Sequence, residues 1–216
     1  MRMRSLPAAV LLALLVTLGA RFDGATAEPG VPSLVWWLDN PAQESGLAVD
    51  GGFSTLQRGY FSVTISLRTS GLTPGHAYSV WWVIFQNPGL CVNGCGDDDI
   101  NNAAWTGVNP VGIGVHYGGA FTAAESGSAA IGSRLLEDTV DQCAKAGPYT
   151  RLCVPMKDAS TAEALVFLLD NGPAGAVPVS GFESGCKTLV WFGYVVSQYN
   201  HDGFDCYRAQ STFHRP

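Results

Sequence analysis

The chain has 216 residues, with twelve basic against eighteen acidic side chains and a formal charge of −6. That balance is a poor footprint for nucleic acid or an anionic membrane surface, both of which reward clustered Lys and Arg. The length fits one large all-β domain and sets no need for a second.

The N-terminus reads as an export signal. Met1-Arg2-Met3-Arg4 is a basic start, Leu6 to Ala20 is almost uninterruptedly apolar, and Ala25-Thr26-Ala27 before Glu28 has the small-residue pattern of a cleavage site. The apolar stretch is short of the about 20 residues that span a bilayer. Residues 1–27 are therefore expected to be removed, leaving a domain of 28–216 that is secreted or periplasmic and not inserted in a membrane. Three arginines and one aspartate leave with the leader, so the charge moves from −6 to −8.

Beyond the leader, period-two alternation dominates. Strands are expected at Leu34–Leu38 and across 60–68, where Phe61, Val63, Ile65 and Leu67 point one way and Ser62, Thr64, Ser66 and Arg68 the other. Further strands are expected at Val111–Tyr117, Ala129–Arg134, Ala164–Leu169, Leu189–Ser197 and Cys206–Phe213. Asn40-Pro41, Asp50-Gly51-Gly52 and Asn171-Gly172-Pro173 read as turns between them. Short helices are expected at Asp98–Ala104 and Asp138–Ala146. The pattern predicts an antiparallel β-sandwich of Greek-key or immunoglobulin-like type, a single domain with long disulfide-stapled loops.

The run Tyr78-Ser79-Val80-Trp81-Trp82-Val83-Ile84-Phe85 is apolar on both faces. It is expected to be a central strand, one face on the main core and the other beneath the segment 91–110. "LVWW" at 34–37 and "LVWF" at 189–192 echo its "SVWW" at 79–82, which reads as three buried strands meeting one packing demand.

Six cysteines, Cys91, Cys95, Cys143, Cys153, Cys186 and Cys206, point to disulfides in an exported chain. Nearest-neighbour pairing is expected, Cys91–Cys95, Cys143–Cys153 and Cys186–Cys206, because each pair brackets a loop containing Gly or Pro. Cys91-x3-Cys95 has no second close ligand pair to complete a zinc site.

Leu72-Thr73-Pro74-Gly75-His76-Ala77-Tyr78 resembles the tyrosine corner of fibronectin type III domains, which implies a sandwich and no particular activity. The same corner is similar to that of copper–zinc superoxide dismutases. The positions that would carry their metal-binding histidines are Ser79 and Trp81 here, so no dismutase site is implied. The longer stretch from Gly71 to Ile100, with Gly118-Gly119-Ala120-Phe121 and Asp170-Asn171-Gly172-Pro173, resembles uncharacterised exported bacterial β-sandwich proteins, a resemblance that implies no catalytic residue.

Chemistry-bearing signals are sparse. Gly181-Phe182-Glu183-Ser184-Gly185 places its serine one position late for a nucleophile elbow, and no H-E-x-x-H occurs. Gly112-Ile113-Gly114-Val115-His116-Tyr117 has Tyr117 where a dinucleotide loop needs glycine, and reads as a strand with little bulk on one face. Asp97, Asp99 and Asn101 have the first three ligand spacings of a calcium loop, but Asn102 and Val108 stand where its glycine and glutamate belong. Two readings stay open: a Ca²⁺ site completed by distant oxygens such as Asp202 or Asp205, or a solvated acidic helix start. His201-Asp202-Gly203-Phe204-Asp205 places a histidine beside acids without a visible nucleophile. The expected function is a binding or structural module for an unknown extracellular or periplasmic ligand, with 91–109 as its functional surface. The alternative is a metal-dependent enzyme using Asp97 and Asp99 with His116 or His201.

Overall fold

The computed structural model describes residues 30–39, 42–143, 147–174, 186–191, 194–198 and 204–216. The expected leader, residues 1–27, lies outside them, as do Asn40-Pro41, Gly181–Gly185, His201 and Asp202. Among the described residues the strands are β1 (Val31–Trp37), β2 (Ala48–Arg58), β3 (Ser62–Thr69), β4 (His76–Phe85), β5 (Ile113–Thr122), β6 (Ala129–Leu136), β7 (Glu163–Pro173), β8 (Cys186–Trp191), β9 (Tyr194–Gln198) and β10 (Phe204–His214). One α-helix, α1 (Asp97–Thr106), and two 3-10 turns, Pro88–Leu90 and Gly147–Leu152, complete the described elements.

Hydrogen bonds join the strands in one sheet of order β5-β4-β7-β10-β1-β2-β3-β6, antiparallel at every step. β8 adds to β10 in parallel and β9 to β8 in antiparallel. The fold is all-β. Where two stacked sheets are expected, the ladder is continuous and curls toward a barrel. Alternation reports an inner and an outer face; it does not report whether the sheet is cut.

The curl brings the outer strands together. Trp82 Nε1 donates to Ser133 Oγ on β6 at 2.8 Å, and that hydroxyl donates to the Gly118 carbonyl of β5 at 2.7 Å. A Cβ on Gly118 would stand 2.6 Å from Ser133 Oγ and 2.7 Å from Trp82 Nε1, so only glycine leaves room for this join. The register of β4 and β5 slips at the same place, between Val80 opposite Gly119 and Trp81 opposite Tyr117. The chain after β6 lines the seam: Tyr117 N–H donates to the Gln142 carbonyl, His116 bridges to Cys143, and Met156 enters the core.

β4 has the predicted two-sided burial. Tyr78, Val80, Trp82 and Ile84 join Val35, Ile65, Leu135 and Val166 inside the barrel. Trp81, Val83 and Phe85 turn outward and are covered by Ile100, Ala103 and Ala104 of α1 and by Leu152. Trp81 and Trp82 are 3% and 0% exposed.

Several expectations change in detail. The Asp50-Gly51-Gly52 turn lies inside β2, where a Cβ on Gly52 would meet Val49 and Val35 at 2.9 and 3.1 Å. Leu189–Ser197 is two paired strands, β8 and β9. The helix expected from Asp138 does not start there: Asp138 has φ +58° and its N–H donates to the Met156 carbonyl. No helix among the described residues is long and apolar enough to cross a membrane.

Candidate functional site

The segment expected to carry function is built around the Cys91–Cys95 disulfide and α1. The staple delivers the chain to Gly96, and three acids follow in the first helical turn, where the helix dipole favours them. Asp99 accepts from Gly96 N–H at 3.3 Å and from Val92 N–H at 3.1 Å, closing the helix start. Asp97 accepts from Arg208 Nη1 and Nη2 at 3.1 and 3.0 Å, while Arg208 Nε donates to Asp39 at 2.7 Å. Burial works against the Arg208 charge, and the hydrogen bonds and charges of Asp97 and Asp39 outweigh it, leaving its pKa raised.

Of the three predicted calcium ligands on α1, Asp99 points away from Asp97 and Asn101, which lie four residues apart on one face of the helix. Alternate positions converge in a loop, whereas in a helix residues i and i+2 point about 200° apart. Asp97 is turned to Arg208, Asp99 to its own backbone, and Asn101 follows on the next part of α1. Among the described residues no three of His, Cys, Asp and Glu gather as metal ligands. His116 lies on the inner wall, with Nε2 donating to the Val154 carbonyl at 3.0 Å, and burial holds its pKa below the usual histidine range. The side chain of Asp205 lies outside the described residues.

Two expected disulfides are formed, Cys91–Cys95 and Cys143–Cys153. Cys206 is also disulfide-bonded, and the side chain of Cys186 lies outside the described residues.

The tyrosine corner is present and carries an attachment that the sequence does not announce. Tyr78 OH accepts from Thr73 N–H at 3.0 Å and donates to the buried Asp170 at 2.8 Å. His76 Nδ1 donates to the same carboxylate at 2.9 Å, Gly172 N–H at 2.8 Å and Tyr207 OH at 3.3 Å. Asp170 follows the apolar run Leu165–Leu169 inside β7, and an acid directly after so apolar a run is the signal that the sequence holds. The saturated carboxylate ties β4, β7 and β10 together at one end of the barrel.

Among the described residues, the outer face of β1, β2, β3 and β6 is left uncovered by α1. Register sets its side chains in rows. Leu34 is opposite Phe53, Phe53 opposite Arg68, and Arg68 opposite Ala130. The next row is Pro32, Thr55, Ser66 and Gly132, and the third is Gln57, Thr64 and Arg134. Trp36, two residues beyond Leu34 on β1, is opposite Ala48 across a register shift. Leu34, Trp36 and Phe53 are 50%, 38% and 44% exposed, and a Cβ on Gly132 would meet nothing within 4 Å. The Arg68 guanidinium lies 5.8 Å from the centre of the Phe53 ring, within cation–π range.

Leu34 and Trp36 therefore correct the expectation of a buried strand at 34–37, while the side chains of 189–192 lie outside the described residues. In Leu34–Trp37 both alternating pairs are apolar, so periodicity carries no signal there for which pair meets water. No family model, curated protein or solved structure matches the chain.

Proposed function

We propose that the protein is an exported binding module, a disulfide-stapled β-fold of Greek-key type, that holds glycan rings against the outer face of β1, β2, β3 and β6. One observation carries this reading: Leu34 and Phe53 stand exposed opposite one another, with exposed Trp36 two residues along β1 from Leu34, beside rows of short polar side chains. A sugar ring has an apolar C–H face and a hydroxyl rim. Removing that face from water against an indole and a phenyl ring is favourable, while Thr55, Ser66, Thr64 and Gln57 offer hydroxyls and an amide to the rim. The exposed apolar area, roughly 250 Å² from partly exposed side chains of ~150–250 Å² each, suits one or two sugar rings. It is well below the ~800 Å² per partner of a standard protein interface. Two disulfides in one small chain fit an oxidising compartment, and the order β6-β5-β4 between β3 and β7 fits a Greek-key path across the Ser133–Gly118 seam.

Affinity electrophoresis of the mature protein through gels containing dextran, mixed-linkage β-glucan or polygalacturonate tests the reading. Retardation in at least one gel is expected, with its loss in a Trp36→Ala/Phe53→Ala double variant that still unfolds in one cooperative transition. Equal mobility of both proteins in every gel would sink it.

A further inference from the structure

Resting on that glycan-binding reading, we infer that the ligand is an acidic polysaccharide, with carboxylate or sulfate groups paired by Arg68 and Arg134.

The inference comes from the charges on the face. In a chain with eighteen acids against twelve bases, the three rows contain two charged side chains, and both are arginines. Arg68 and Arg134 are exposed, so their positive charge meets no opposing acid within these rows. Stacking on Phe53 holds the Arg68 guanidinium beside the aromatic cluster, where a ring resting on Trp36 and Phe53 would bring its acidic substituent. A planar guanidinium matches a carboxylate or sulfate through two parallel hydrogen bonds. Arg134 Nη2 donates to Ser62 Oγ at 3.1 Å, which fixes the side chain and leaves other donors of the fork unspent.

Spacing then selects an extended ligand. Arg134 faces Thr64, four residues before Arg68 on β3, so their backbones lie about 14 Å apart at ~3.4 Å per residue. No single small anion reaches both. Between them runs the low row of Ser66 and Gly132, whose missing side chain at Gly132 keeps the path between the arginines flat.

The test is titration of the mature protein with polygalacturonate and with neutral mixed-linkage β-glucan across a salt series. Binding to polygalacturonate should weaken with salt, at about one logarithmic unit of slope per arginine. Arg68→Gln/Arg134→Gln should weaken it at least tenfold and flatten the slope. Ser66→Glu, which plants an acid between the arginines, should weaken it as well, and guards against a side effect of the double variant. Equal binding of β-glucan, or an unchanged salt slope in both variants, would overturn the acidic ligand while leaving a Trp36-dependent glycan site standing. Binding to neither polymer would overturn the acidic ligand, and no retardation by dextran in addition would overturn both. A dimer that dissolves on Trp36→Ala would overturn both in favour of a face shared between two copies.

Discussion

Arg208, buried in β10, grips Asp97 at the first turn of α1 through two nitrogens and Asp39 through a third. The link pins the helix over the outer core of Phe85, Ile113 and Phe167, and it uses the carboxylate whose spacing resembles a calcium ligand. Removing it leaves a buried guanidinium half-paired. Asp97→Asn is expected to cost about 1–3 kcal/mol, below the full cost of breaking a buried pair because Asp97 itself is half-exposed. Chemical denaturation with and without chelator checks this. A loss that appears only when calcium is present would transfer the role of Asp97 to a metal.

Gly114 and Gly132 are both strand glycines, but their surroundings differ. A Cβ on Gly114 would collide with the Val154 carbonyl oxygen and with His116 Nε2, the pair that fixes the seam-lining segment. Gly114→Ala should therefore cost about 3 kcal/mol or prevent folding, as overpacking against backbone does. Gly132→Ala should change stability by less than about 0.5 kcal/mol. Comparable losses in urea melts of the two variants would contradict the open outer face.

Stability should fall on both sides of neutral pH, for different groups. Burial first, then the Asp170 charge, pushes the Tyr207 hydroxyl up to about 12 and that of Tyr78 further in the same direction. An unfolded tyrosine ionises near ~10. As pH rises above that value the unfolded chain releases protons that the folded one keeps, so stability is lost toward pH 12. Tyr207→Phe should flatten this alkaline limb in pH-dependent melts, and an unchanged limb would refute the assignment.

His116 governs the opposite side. Its buried imidazole resists protonation, so below its unfolded value of ~6.5 the unfolded chain gains a proton that the folded one refuses. Stability present above that pH is lost as pH falls. His116→Gln should make the slope between about pH 6.5 and 5 shallower, and melting temperatures at half-unit steps would show it.

Two tryptophans with similar sequence surroundings should behave differently. Trp82→Ala opens the barrel core and abandons Ser133, so a loss of about 3–5 kcal/mol is expected. Trp36→Ala, at a side chain 38% exposed, should cost less, about 1–2 kcal/mol. Equal losses would mean that the outer face of β1 is covered in solution.

How much of this was readable depends on the range of the interaction. Strand positions, the two-sided burial of β4 and the short-range disulfides Cys91–Cys95 and Cys143–Cys153 follow from local rules, because side-chain alternation and loop closure act over a few residues. Their agreement with the structure extends to the covering of Trp81 by 97–106. β2 was hidden by Gly51-Gly52, which looks like a turn until Val35 from another strand is seen to need the space.

The attachments that give these elements their meaning span far more chain. Asp97 meets Arg208, Asp170 meets Tyr78, and Leu34, Phe53 and Arg68 fall in one row. Each depends on strand order and register, which set neighbours across the sheet independently of distance along the chain. Composition placed an indole at position 36. Whether water or protein lies over it was decided by where the covering helix happened to pack, and α1 packs on the opposite wall.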